Sequence, residues 1–201
     1  MTPSITGLGA PFALANVDTD VIMPKRFLIT ITREGLAEGT FADLRFDTRG
    51  AQRPEFILNQ TPWSRASILV VGDNFGCGSS REHAVWGLRQ LGIAACIGTS
   101  FAGIFYDNAR KNGLALPIVP AEVRDALLKE VSRPAGREVT IDLHERLIQA
   151  GAISAPFEMD AATQSALIRG RDDTLESLDY AAAIRAFESG LSDDMRIRVL
   201  K

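Results

Sequence analysis

The sequence predicts an α/β protein organised around a parallel βαβαβ unit, and three observations predict it. Ile68-Leu69-Val70-Val71 and Ile93–Ile97 are uninterrupted apolar runs, the pattern of strands buried on both faces. Between them Ala84, Leu88 and Leu91 stand at helical spacing within Ser80–Leu91, and Gly92 can stop that helix. A further helix, Phe101–Asn112, closes at the Asn112-Gly113 pair and leads into a third short strand, Ala115–Val119. Strand, helix, strand, helix, strand is the order of a parallel unit.

The flanking elements follow the same logic. Residues up to about Pro62 mix short apolar pieces with Asp, Gly and Pro, and read as loops around a few strands. After Pro120, Ala121–Val131 is an amphipathic helix with Val123, Leu127 and Leu128 on one side. Arg137–Leu143 and Arg146–Ala150 read as short strands joined by a turn at His144-Glu145. Asp160–Arg169, with Asp160 as N-cap, and Leu175–Glu188 read as helices. The expected organisation is one domain over residues 1–201 with a helical extension from about residue 160.

Composition narrows the function. The chain has 201 residues, 46% hydrophobic and 23% charged, the profile of a globular protein. A net charge of −3 offers no general field for nucleic acid or anionic lipid. Two cysteines, Cys77 and Cys96, are too few for a disulfide framework, and too few to hold an iron–sulfur cluster alone. With only two histidines, His83 and His144, no self-contained zinc or other metal site is expected. No stretch free of polar residues, Leu91–Gly98 among them, approaches the ~18 needed to span a bilayer. Ala13-Leu14-Ala15 faintly imitates a secretory cleavage site, but no Lys or Arg precedes Lys25. A soluble cytoplasmic protein is expected.

One turn concentrates the chemistry: Gly72-Asp73-Asn74-Phe75-Gly76-Cys77-Gly78-Ser79-Ser80-Arg81-Glu82-His83. It joins the first buried strand to the first clear helix, where ligands collect in open α/β sheets. Its glycines allow positive φ or close approach to a ligand. Ser79 and Glu82 stand in capping-box spacing, so one reading of Ser79 is a helix N-cap. The other reading starts from Arg81, a cation placed against the positive end of the helix dipole. Two hydroxyls, free amides and a guanidinium fork would there form a receptor for a carboxylate.

Alternative motifs fail on particular residues. Gly78 is followed by two serines and no Lys, which excludes a Walker A loop. Neither serine has glycines at both places that a nucleophile elbow needs. Asn16-Val17-Asp18-Thr19-Asp20 resembles the opening of an EF-hand loop, but Val21 replaces the required Gly and Phe27 the closing Glu.

At these residues the chain resembles the isopropylmalate dehydratase small-subunit family of the aconitase superfamily. The matching blocks are Asn16-Val17-Asp18-Thr19-Asp20-Val21-Ile22-Met23-Pro24-Lys25-Arg26-Phe27-Leu28 and Asn74-Phe75-Gly76-Cys77-Gly78-Ser79-Ser80-Arg81-Glu82-His83-Ala84. Ser100-Phe101-Ala102-Gly103-Ile104-Phe105 and Asn112-Gly113-Leu114 follow in order. The resemblance covers residues 8–150 well, whereas Arg169-Gly170-Arg171-Asp172-Asp173 departs from the usual apolar ending.

The resemblance implies a swivelling β/β/α domain, like the aconitase C-terminal domain, that closes over an active site. It implies a [4Fe–4S] cluster carried by a separate large subunit, in keeping with only two thiols here, and a small dicarboxylic hydroxy acid as substrate. The open iron would act as Lewis acid on the departing hydroxyl. Ser79 would be the base that removes the carbon-bound proton, with Ser80 and Arg81 holding a substrate carboxylate. Lys25 and Arg26 would add another carboxylate contact, or are plain surface cations. Cys77, in the same turn, reads either as a ligand or as a small residue in a tight turn. Leu28–Thr40 would meet the variable substituent, with Gly35 and Gly39 as hinge points and Ile29, Ile31, Leu36 and Phe41 as an apolar lining, against one cation, Arg33. The implied activity is hydro-lyase interconversion of 2- and 3-isopropylmalate in leucine biosynthesis, by a heterodimer. The alternatives are a related hydratase of citraconate/2-methylmalate or dimethylmaleate type, or a non-catalytic domain that kept the fold. No nucleic acid and no membrane is expected as a partner.

Overall fold

The computed structural model describes residues 4–28, 35–170 and 177–191. The chain divides into two units, residues 1–170 and 171–201. The first is built on six strands: β1 (Ser4–Phe12), β2 (Ile68–Val71), β3 (Ala95–Ile97), β4 (Arg137–Asp142), β5 (Leu147–Ala150) and β6 (Ile153–Pro156). They form one mixed sheet in the order β3-β2-β1-β4-β5-β6. β1, β2 and β3 run parallel, and β4, β5 and β6 extend the sheet as an antiparallel meander.

The apolar run of β2 behaves as its composition demands. All four residues are fully buried, and the pleat sends them to opposite sides. Leu69 and Val71 join a core with Phe12, Phe41, Phe75, Leu88 and Cys96. Ile68 and Val70 join a second core with Ile97, Leu127, Val131, Val139 and Ile148. On the first side lie short α1 (Thr19–Ile22), α2 (Leu36–Gly39) and α3 (Ala42–Arg45), then α4 (Glu82–Gln90) and α5 (Gly103–Lys111). On the second side α6 (Ala121–Val131) supplies Leu127 and Val131, and α7 (Ala161–Arg169) packs Leu167 and Ile168. Asp160 caps α7, its carboxylate accepting from the Thr163 amide at 2.8 Å, as the sequence predicts. Asn112 ends α5 and Gly113 follows at φ 68°, also as predicted.

Three elements differ from expectation. β1 pairs with both β2 and β4 at the middle of the sheet, yet its glycines disguise it. A Cβ on Gly7 would lie 1.8 Å from Ser67 Oγ, and one on Gly9 would lie 2.6 Å from Val131 Cγ1, so close packing removed the side chains that mark a strand. The expected strand Ala115–Val119 is reduced to two parallel bridges, Ala95 with Ala115 and Gly98 with Ile118. Pro117 between them has no N–H to continue a ladder. β6 was not anticipated, because Gly151 and Pro156 bracket so short a run.

In the second unit a 3₁₀ turn, Leu178–Tyr180, leads into α8 (Ala181–Gly190). This matches the helix expected over Leu175–Glu188, whose first two residues lie outside the described ones. Among the described residues no helix is long and apolar enough to cross a membrane.

Gly76 gives a direct test of this packing. It holds φ 78°, and a Cβ there would sit 2.2 Å from the Phe105 ring. Gly76→Ala therefore meets both backbone strain and overpacking, and should destabilise the protein by about 1–3 kcal/mol in urea unfolding. An unchanged midpoint would contradict the contact.

Candidate functional site

The glycine-serine turn leaves the carboxyl end of β2 and is held by a second segment that leaves β1. Asn16 N–H donates to the Asp73 carbonyl at 2.8 Å, Gly76 N–H to Val17 at 2.7 Å, and Thr19 N–H to Cys77 at 2.9 Å. The Thr19 hydroxyl then donates to the Ser79 carbonyl at 2.9 Å. Arg81 Nη1 closes the series on the Asp20 carboxylate. Asp18 holds the second segment in shape, its carboxylate accepting from the amides of Asp20 at 2.7 Å and Val21 at 2.9 Å as the N-cap of α1. The sequence blocks Asn16–Asp20 and Asp73–Arg81 are thus one object in space.

The turn's own geometry follows from its residues. Asn74 adopts φ 54°, and its amide donates to Ser100 Oγ at 2.9 Å. Asp73 accepts from the Thr99 hydroxyl and from Arg124 Nη1. The Thr99 hydrogen bond, aided by the Arg124 charge, holds this carboxyl below its ordinary range despite some desolvation. Phe75 is fully buried and stacks edge-on against Phe12 and Phe105, anchoring the turn in the core.

Ser79 and Ser80 are exposed at the crest of the turn. The helix begins two residues later than capping-box spacing requires: its N-cap is Arg81, at φ −128° and ψ 105°, and no side chain caps it. Ser79 is therefore not the cap, and Glu82 instead accepts from Asn112 Nδ2 at 2.7 Å. Among the described residues the amide N–H groups of Ser80, Arg81, Glu82 and His83 meet no protein acceptor. Four free donors at a helix start form a place for an anion.

Arg81 is only 11% exposed, whereas its partner Asp20 is 40% exposed. Contrary to the sequence reading, Arg81 needs no external anion to balance it, because Asp20 already opposes it. The pair engages only Nη1, so the remaining guanidinium donors have no acceptor among the described residues.

The other predicted residues separate. Lys25 is exposed and has no ion-pair partner among the described residues. Arg26 forms a two-pronged pair with Asp43 at 2.6 and 3.1 Å, which holds the Asp43 carboxyl below its usual range. Both flank a cavity of about 710 Å³ with Phe27, Phe46 and Arg53, and no residue of the glycine-serine turn lines it. Leu36 and Phe41 are buried in the core, a correction to the expected apolar lining. Gly39 is a packing glycine, not a hinge, since a Cβ would lie 2.6 Å from the Phe27 ring. Ile29, Ile31 and Arg33 lie outside the described residues.

Cys96 is fully buried in β3, and burial pushes its thiol well above the ordinary range. Cys77 sits partly exposed in the turn. Among the described residues no group of three His, Cys, Asp or Glu could hold a metal ion.

Residues 3–122, which include β1, β2, β3 and both blocks, match the model of the aconitase C-terminal domain. The chain belongs to that family. Within the aconitase C-terminal domain family its relatives include a Cereibacter sphaeroides protein named 3-isopropylmalate dehydratase small subunit, 44% identical over 94% of each chain. A Mannheimia succiniciproducens protein named 3-isopropylmalate dehydratase small subunit 1 is 48% identical over 92% of this chain and 91% of its own. A crystal structure titled 3-isopropylmalate dehydratase from Methanocaldococcus jannaschii superposes with a TM-score of 0.67 at 28% identity, covering 92% of this chain and 99% of that one.

Sequence reasoning missed Thr19 and Asp20 as site residues, although both stand in the first matching block. The only signal was their place in that block. Asp20→Asn should cost about 1.5–3 kcal/mol, because it leaves a largely buried guanidinium without its charged acceptor. Equal urea midpoints for the variant and the parent would show that the pair holds nothing.

Proposed function

We propose that this chain is the small subunit of a 3-isopropylmalate dehydratase, interconverting 2- and 3-isopropylmalate by loss and return of water in leucine biosynthesis. The observation that carries the reading is the pair of exposed hydroxyls, Ser79 and Ser80, set over unpartnered amides beside a largely buried Arg81. Its relatives' names agree.

The residues of this chain do not fit an iron–sulfur cluster: Cys96 is sealed in the core, which leaves one thiol in the turn. We infer that the [4Fe–4S] cluster belongs to the large subunit, and that residues 1–170 act as the swivelling domain that closes on it within a cytoplasmic heterodimer. The cluster supplies Lewis-acid chemistry there. No nucleic acid or membrane enters this reading.

On this chain's side, Ser79 Oγ takes the carbon-bound proton of the hydroxy diacid. A serine hydroxyl is a weak base, and the helix start with its free amides stabilises the oxyanion form. Ser80 and the unused edge of Arg81 grip one carboxylate, a planar fork suiting a planar anion. Exposed Lys25 is free to meet the second carboxylate, whereas Arg26 is already held by Asp43. Proton removal and loss of water leave an alkene diacid, which takes water back at the neighbouring carbon.

Kinetics of the reconstituted complex test the assignment. Ser79→Ala removes no cap bond and should fold with the parent's stability. Its kcat should fall about 10²–10⁴-fold, with a much smaller change in KM. Arg81→Lys keeps the charge and loses the fork, so KM should rise most. A folded, assembled Ser79→Ala with the parent's kcat would remove Ser79 from the chemistry.

A further inference from the structure

We propose that Thr19 is a positioning residue of this site, turning the backbone donors of the serine turn toward the substrate; this rests on the reading of Ser79 and Ser80 given above. Thr19 is 2% exposed and makes two hydrogen bonds to the turn. Its amide holds the Cys77 carbonyl and its hydroxyl holds the Ser79 carbonyl, each at 2.9 Å. The two held carbonyls are two residues apart, so one buried side chain and its own backbone fix two alternate peptide planes.

Planarity makes this consequential. Both peptides are trans, since the one cis bond among the described residues is Thr61-Pro62. In a trans peptide the N–H points opposite to the C=O. With the carbonyls of Cys77 and Ser79 drawn inward to a buried threonine, the N–H groups of Gly78 and Ser80 face the other way. That is the side on which Gly78, Ser79 and Ser80 are exposed, and neither N–H has an acceptor among the described residues.

The Gly78 backbone confirms how far the turn is shaped around this residue. It holds φ 90°, and a Cβ there would sit 3.2 Å from Asp18 Cβ and 3.7 Å from Thr19 Oγ1. Thr19 thus acts through the Cys77–Gly78 and Ser79–Ser80 peptides, setting the direction of the base and of two donors together. A serine would keep the hydroxyl, while a valine would keep the shape and lose the hydrogen bond. This pair of substitutions separates positioning from packing.

The experiment compares Thr19→Val and Thr19→Ser in the complete two-subunit enzyme with 3-isopropylmalate as substrate. Thr19→Val should lower kcat about 10²-fold, the scale for a misplaced reacting group, with KM changing far less. Thr19→Ser should restore kcat to near the parent's value. Equal losses in the two variants, or an undiminished kcat in Thr19→Val, would overturn the proposal. Should Thr19→Val fail to assemble, amide hydrogen exchange of the parent complex decides: saturating 3-isopropylmalate should protect the Gly78 and Ser80 amides, and unchanged exchange at both would overturn it. Ser79→Ala is run beside these variants. If it is inactive while Thr19→Val is normal, only the role of Thr19 falls; if Ser79→Ala is normal, the assignment of the base falls instead.

Discussion

Everything at this site depends on the pairing of two loops that leave neighbouring parallel strands. Residues 16–20, after β1, run beside residues 73–81, after β2, and the contact ends in the Asp20–Arg81 pair. Without it, a turn carrying three glycines would have far more backbone freedom. The ion pair also resolves a local conflict. Arg81 stands at the N-terminal end of α4, where the dipole repels a cation, and the Asp20 carboxylate offsets that repulsion. Asp20 meets the guanidinium at Nη1 alone.

The sheet explains why these loops meet at all. β1 and β2 are parallel and in register from Gly9 with Ile68 to Phe12 with Val71, so both chains leave the sheet at the same level. Phe12 and Phe75, one from each exit, then stack in the core below the site. Close contacts brace the helices around it. Gly87 in α4 lets Met23 and Thr40 approach where a Cβ would lie 2.3 and 2.4 Å away. Glu82, Asn112 and Trp86 tie the start of α4 to the end of α5. The result is a rigid platform bearing exposed hydroxyls, which suits half of a two-chain active site.

Much of this was legible in the residues. The βαβαβ order, the Asp160 cap and the Asn112-Gly113 ending all rest on local rules, and local rules act wherever the chain folds. The serine turn stood out by its density of Gly, Ser and Arg, and it joins β2 to α4 as read. What could not be read depends on contacts distant in sequence. β1 hid behind Gly7 and Gly9, which are small because Ser67 and Val131 press on them. Ser79 imitated a cap because its spacing to Glu82 is right, yet Thr19, 60 positions away in sequence, holds its carbonyl. Leu36 and Phe41 read as pocket lining, since apolar side chains in a loop look the same whether they face a ligand or a core.

The central claim is that this chain contributes the base and a carboxylate grip to an active site completed by another subunit that carries the cluster. Complementation tests it most directly. The purified chain, prepared anaerobically, is analysed for iron and sulfide and then titrated into cluster-loaded large subunit while isopropylmalate turnover is followed. The account predicts no cluster iron and no turnover in the isolated chain, with activity rising to a plateau at one chain per large subunit. Stoichiometric cluster iron in this chain, or turnover by either subunit alone, would contradict it.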